Sequence, residues 1–204
     1  MLRRAWVLSA VFLTLAALFL ASARGRDDDD KEEKEKRVKT AAAQVDVLKL
    51  ADALGGKEDD VQKQAKDIAA KHMIPFVMAQ FKPRDNGGVG VGKPGAFPFD
   101  SVEQELLFLS KKGLTAEQMK IQQADLRKMA ELALAVAYVA PHYAPKTDEP
   151  GKPIQDWMRL AGDMKMQPKG FLDAIQGGDP TTVQKAANVL NSTCESCHTE
   201  FRDN

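Results

Sequence analysis

Along the C-terminal half of the chain, apolar positions recur at alternating spacings of three and four residues. Met119, Gln122, Leu126, Met129, Ala133, Val136 and Ala140 form one such stripe, the pattern of a helix with one face toward a core. Thr115 with Gln118 makes a capping-box start for it, and Pro141 marks its end. A second stripe follows in Ile154, Trp157, Ala161, Met164, Phe171 and Ile175. Pro168 falls in the same register, and because it lacks a backbone donor it predicts a kink or a split near Gln167. Gly177 and Gly178 close this element, Asp179 caps the next, and Pro180 takes its first position. The last stripe is Val183, Ala187, Leu190, Cys194, Cys197 and Phe201, so both cysteines are expected on a core-facing side.

Upstream, a helical stretch is predicted from about Val38 to Leu54, with a pause at Gly55 and Gly56. It resumes from about Glu58 to Met73, with Val61, Ala65, Ile68 and His72 on one face, before Pro75 bends or ends it. Lys82 to Pro98, rich in glycine and proline, reads as a long loop. Its run Gly87-Gly88-Val89-Gly90-Val91-Gly92 lacks the preceding strand and following helix that a nucleotide-binding glycine turn needs. A short helix is expected from Ser101 to Lys111. Strand-type alternation is nearly absent while Ala, Leu, Lys, Gln, Glu and Met are abundant. The expected fold is all-α, a four-helix up-down bundle with an extra short helix and a Gly-rich loop insertion.

The two ends of the chain add a destination. Arg3 and Arg4 precede an apolar run, Ala5 to Leu20, and the small triplet Ala21-Ser22-Ala23, as in a secretory signal peptide. About 16 apolar residues is short for a membrane-spanning helix, so cleavage near Ala23 should leave no stable membrane span. Residues 24–37 are almost wholly charged, with Asp27 to Asp30 followed by alternating Lys and Glu. They carry too little apolar surface to offset ordering, and predict a disordered linker. Residues 38–204 are of a size for one domain. The whole chain has 29 basic and 29 acidic residues, and losing Arg3 and Arg4 leaves 27 basic, a balance that gives no reason to expect nucleic acid.

There are two cysteines, three positions apart, in a chain expected to reach an oxidising compartment. That spacing suits no long-range disulfide staple. Cys194-Glu195-Ser196-Cys197-His198 is the C-x-x-C-H signature of c-type haem attachment. On one helical face two thiols each form a thioether to a haem vinyl group, and the following histidine brings an imidazole beneath the iron. A thioredoxin-like dithiol would need a βαβ setting, and a structural zinc would need further ligands at finger-like spacing.

Only residues 199–204 follow His198, so any second iron ligand lies upstream. The C-terminal Cys194-x-x-Cys197-His198-x-x-Phe201-Arg202, closing a helical array with Trp157 early in its third long helix, resembles a class II c-type cytochrome of the cytochrome c prime family. The match is strong over about nine residues and looser over the last three helices. The longer first helical region, the glycine-rich insertion and the charged tether depart from the family pattern. The resemblance implies a periplasmic protein with one covalent haem c, Cys194 and Cys197 as the thioether residues, His198 as the proximal ligand and Arg202 as a charge near the proximal face. It implies periplasmic redox partner proteins, and homodimers are common among such cytochromes.

In that family the distal position is either an apolar residue that leaves iron open or a methionine that closes it. Met78, His72 and Met73, with His142 and Met158 further out, are the distal candidates, or none of them. Electron transfer is the function this implies, with binding of small gases such as NO or CO at an open distal site as the alternative. No acid–base or nucleophile constellation marks an enzyme. A peroxidase-like site would need a distal base and an arginine over the iron, for which His72 and Arg84 are the available pair.

Overall fold

A computed structural model describes residues 30–147 and 153–202. The expected signal peptide, residues 1–23, and the start of the expected linker, residues 24–29, lie outside the described residues. The chain divides into two units, Met1–Lys39 and Thr40–Asn204. Within the first, residues 30–39 are helical, which corrects the expectation of a disordered linker for residues 30–37. The alternating charges that argued for disorder are spaced to pair along a helix, Glu33 with Arg37 at 2.6 Å and Glu35 with Lys39 at 2.6 Å. Such i,i+4 pairs stabilise helices that bury nothing.

The second unit is all-α, and among its described residues there is no strand. Its helices are α1 over residues 40–52, α2 Glu58–Lys71, α3 Ile74–Met78, α4 Val102–Lys112, α5 Ala116–Val139, α6 Ile154–Gly177 and α7 Pro180–Phe201. α7 packs against both α4 and α6, α6 against α5, and α5 against α2. The capping box on α5 forms as the spacing predicts, with Thr115 Oγ1 accepting from Gln118 N–H and Gln118 Oε1 accepting from Thr115 N–H. Asp179 caps α7 by accepting from Thr182 N–H at 2.8 Å. Pro75 opens α3 rather than ending a helix.

Two features depart from simple periodicity. The second half of α5 is buried around its whole circumference, from Leu132 to Val139, so this stretch of small and β-branched residues is a central helix. α6 runs through Pro168 as one helix, so of the expected kink or split the split does not occur. Pro168 lies on the buried face between Met164 and Phe171, where packing holds the turn that lacks one backbone hydrogen bond. Polar contacts fasten the remaining helices. Tyr138 on α5 donates to Glu58 on α2 at 2.8 Å, and Lys165 on α6 reaches the same carboxylate at 2.7 Å while lying over the Tyr138 ring.

The glycine-rich segment is a loop wound around one arginine. Arg84 donates to Gly92 O, pairs with Asp100, and its backbone N–H reaches the same carboxylate. The glycines let the chain come this close. A Cβ on Gly88 would stand 1.7 Å from Lys82 O, and Gly90, at φ +73°, has Arg84 and Asp100 against it. Val89 N–H returns to Gln80 O, and Ser101 Oγ donates to Phe81 O, so the loop's two ends are tied together. Beneath it lies Glu105 of α4, fully buried, with Oε2 accepting from Phe99 N–H at 3.3 Å and Oε1 without a hydrogen-bond partner. Burial without a cation pushes its carboxyl up to about 7.

Gly88→Ala should destabilise the protein by more than about 2 kcal/mol in urea unfolding, because the atom it meets is backbone. Gly55→Ala, with open space around it, should change stability by less than about 0.5 kcal/mol. A second expectation concerns pH. Between the ordinary carboxyl value of 4.5 and about 7, unfolded chains have lost the Glu105 proton and folded ones have kept it. Stability therefore falls as pH rises through that window, by roughly 3 kcal/mol from this group. Urea midpoints measured across it should flatten in Glu105→Gln.

Candidate functional site

α7 begins as an ordinary packing helix. Val183, Ala187 and Leu190 are buried, and the same register then brings Cys194, Cys197 and His198 round to the same side. Glu195 and Ser196, the two residues between the cysteines, are exposed. The three inward residues line a cavity of about 480 Å³ whose walls come from α3, α4, α5, α6 and α7. That volume falls in the usual range for cofactor and ligand sites, about 300–1,000 Å³. Its surface is mainly apolar, with Leu106 from α4, Met129 and Ala133 from α5, and Met164 and Phe171 from α6.

The thiols are not joined to each other. Burial is the main influence on all three chemical groups. It pushes the Cys194 thiol up to about 12, with the neighbouring Cys197 and Glu103 adding to the effect. It raises Cys197, helped by Glu200. It lowers His198, with Arg202 acting in the same direction and Glu103 against it. The wall thus favours neutral species, a protonated thiol and an unprotonated imidazole with a free lone pair.

This pattern bears on what the residues suit. Reactive redox dithiols have cysteines of lowered pKa, and burial raises these. Among the described residues, no group of three or more His, Cys, Asp or Glu is placed to hold a metal ion. A thioether carries no charge, and a neutral imidazole is the form that ligates iron. Two thiols and an imidazole on one wall of an apolar cavity of cofactor size therefore fit a covalently held haem.

Trp157 also lines the cavity. Its Nε1 donates to Ala140 O at 3.0 Å, and its ring meets Phe201 edge-on at 5.0 Å between centroids. Lys82 and Arg202 bring positive charge to the lining, and Glu103 and Glu195 bring negative charge.

Of the distal candidates, Met78 on α3 lines the cavity. The other four are not among its lining residues. His72 is buried but its Nε2 is engaged with Asp46 Oδ2 at 2.8 Å, beside Lys71 on the same carboxylate. Met73 is 64 % exposed and Met158 48 % exposed. His142 lies on the turn after α5, exposed. Arg84 is engaged with Asp100 and the glycine loop, so His72 and Arg84 do not meet at the cavity. Met129 and Met164 do line it. In the sequence both fell on regular apolar stripes and read as packing, so only the three-dimensional convergence of α5 and α6 distinguishes them.

In the chain without an attached group, iodoacetamide at pH 8 should modify Cys194 far more slowly than a free thiol. A pKa of about 12 against an ordinary 9 leaves about a thousandfold less thiolate. Mass-spectrometric rates before and after unfolding in urea measure this, and equal rates would overturn the assignment of the thiol to the cavity wall.

Comparison with family models, curated proteins and solved structures finds no match to this chain.

Proposed function

We propose that this chain is an exported, periplasmic mono-haem c-type cytochrome acting in electron transfer. The observation that carries this is the convergence of Cys194, Cys197 and His198 on one apolar cavity, in the C-x-x-C-H spacing. Cys194 and Cys197 would hold the haem as thioethers, and His198 would supply an imidazole nitrogen to its iron. The group, when bound, supplies a one-electron couple at its iron. The residues of the chain fix its position, keep water from most of its surface and set the charge around it. Lys82 and Arg202 are the cations available to its carboxylates. In this reading α2, α5, α6 and α7 are the four-helix up-down bundle of a class II cytochrome, and α4 is the extra short helix.

Met78, Met129 and Met164 favour electron transfer over gas binding, because three methionines are among the residues that line the cavity. Methionine closes haem iron and raises its potential. An open iron faced by apolar groups is the competing arrangement, and it would bind carbon monoxide or nitric oxide.

The chain matured in a periplasm should carry one haem that survives denaturation. Cys194→Ala and Cys197→Ala should each leave a single thioether, and the double variant should retain no covalent haem. Mass spectrometry and the reduced spectrum check this; a wild-type chain without covalent haem overturns the proposal. Carbon monoxide should leave the reduced wild-type spectrum unchanged. A ready shift would show an open iron and gas binding instead.

A further inference from the structure

We propose that Glu105 is a proton-binding site linked to the electron held in the cavity, so that the protein takes up a proton as it is reduced. The inference rests on the haem reading above. α4 supplies both ends of the argument. Its residues Val102, Glu103 and Leu106 line the cavity, and Glu105 lies among them on the same helix, with its carboxyl fully buried. That places it within about one helix diameter, about 10–12 Å, of whatever the cavity holds.

Nothing in its surroundings fixes its charge. Oε2 has one donor, Phe99 N–H, and Oε1 has none. Around it, Arg84 and Asp100 of the loop are committed to each other. On its own helix Glu103, Lys111 and Lys112 are exposed, and on α7 so are Lys185 and Glu195. Among the described residues none of these forms a hydrogen bond or ion pair with Glu105. A buried carboxyl without a counter-charge titrates near neutral pH, where a modest change in nearby charge alters its occupancy.

Gain of one electron, from a one-electron donor protein, takes the iron from ferric to ferrous and removes one positive charge from the cavity. A proton from solvent then adds to the Glu105 carboxylate and gives the neutral acid. Reoxidation reverses both, the electron leaving to an acceptor protein and the proton to water. At about 10 Å and an effective dielectric of about 20, one unit of charge changes the proton affinity about tenfold.

The experiment is potentiometry of the haem-loaded protein from pH 5 to 9, for wild type and Glu105→Gln. The wild-type potential should fall by about 60 mV in total around neutral pH, the equivalent of a tenfold change for one electron. Glu105→Gln should remove the fall and leave the haem spectrum as it was. Reduced-minus-oxidised infrared spectra of wild type grown with carbon-13 glutamate provide a second readout, independent of the variant's folding. A protonated carboxyl band of glutamate should appear on reduction at pH 7. A potential independent of pH, an equal fall in the variant, or no such band would overturn the proposal while leaving the cytochrome reading intact. A chain that takes up no haem overturns the cytochrome reading and this inference with it.

Discussion

α7 has a single apolar face, and the site depends on that face keeping its register past Leu190. In its first half the face is spent on packing, with Val183, Ala187 and Leu190 buried against neighbouring helices. Val183 and Leu190 each contribute about 1.5–3 kcal/mol of burial, and with Ala187 they fix the rotation of the helix about its own axis. The second half inherits that rotation. A one-residue slip would turn Cys194 and Cys197 by about 100° and send them to solvent. The chemistry at the end of the chain is thus aimed by apolar contacts about one to four turns earlier, and no contact at the cysteines has to do the aiming.

The same burial disfavours charge on this wall. The thiols are raised and the imidazole lowered, and the largest cause in each case is removal from water. A thiolate would meet the penalty of burying charge, with Glu103 close enough to add to it. A thioether and a neutral imidazole meet none. Electrostatics and spacing therefore point to the same use of these residues, although one follows from the fold and the other from the sequence.

The long helices were legible because their stripes are regular and their ends carry strong signals, Thr115 with Gln118 and Asp179 with Pro180. The tether was misread because composition registers the charges and not their i,i+4 spacing, which pairs Glu33 with Arg37. At Pro168 the split that the proline rule allowed does not occur, because that rule describes the helix alone, while the ring is buried on the packed face. At the site, Cys194, Cys197 and His198 stood out because their spacing is local. The far wall was not legible. Met129 and Met164 sit where any packing methionine would, and His72 looked available until Asp46 was found against it across 26 positions of sequence.

The glycine loop, which has no counterpart in the family resemblance, joins two segments of the cavity wall. It leaves the cavity at Phe81 and Lys82 and returns at Val102 and Glu103. Ser101 holds its ends together through Phe81 O, and Arg84 holds its middle. An apolar closure would have done the same packing. The loop instead carries backbone that must be satisfied, and one donor, Phe99 N–H, turns inward to Glu105. A carboxyl recruited to satisfy that N–H is thereby buried one helix away from the cavity, with one oxygen left unmatched. The titratable group nearest in character to a switch thus follows from how the loop was closed, and under the proposed reading it would give a haem in this cavity a neighbour whose charge is not fixed.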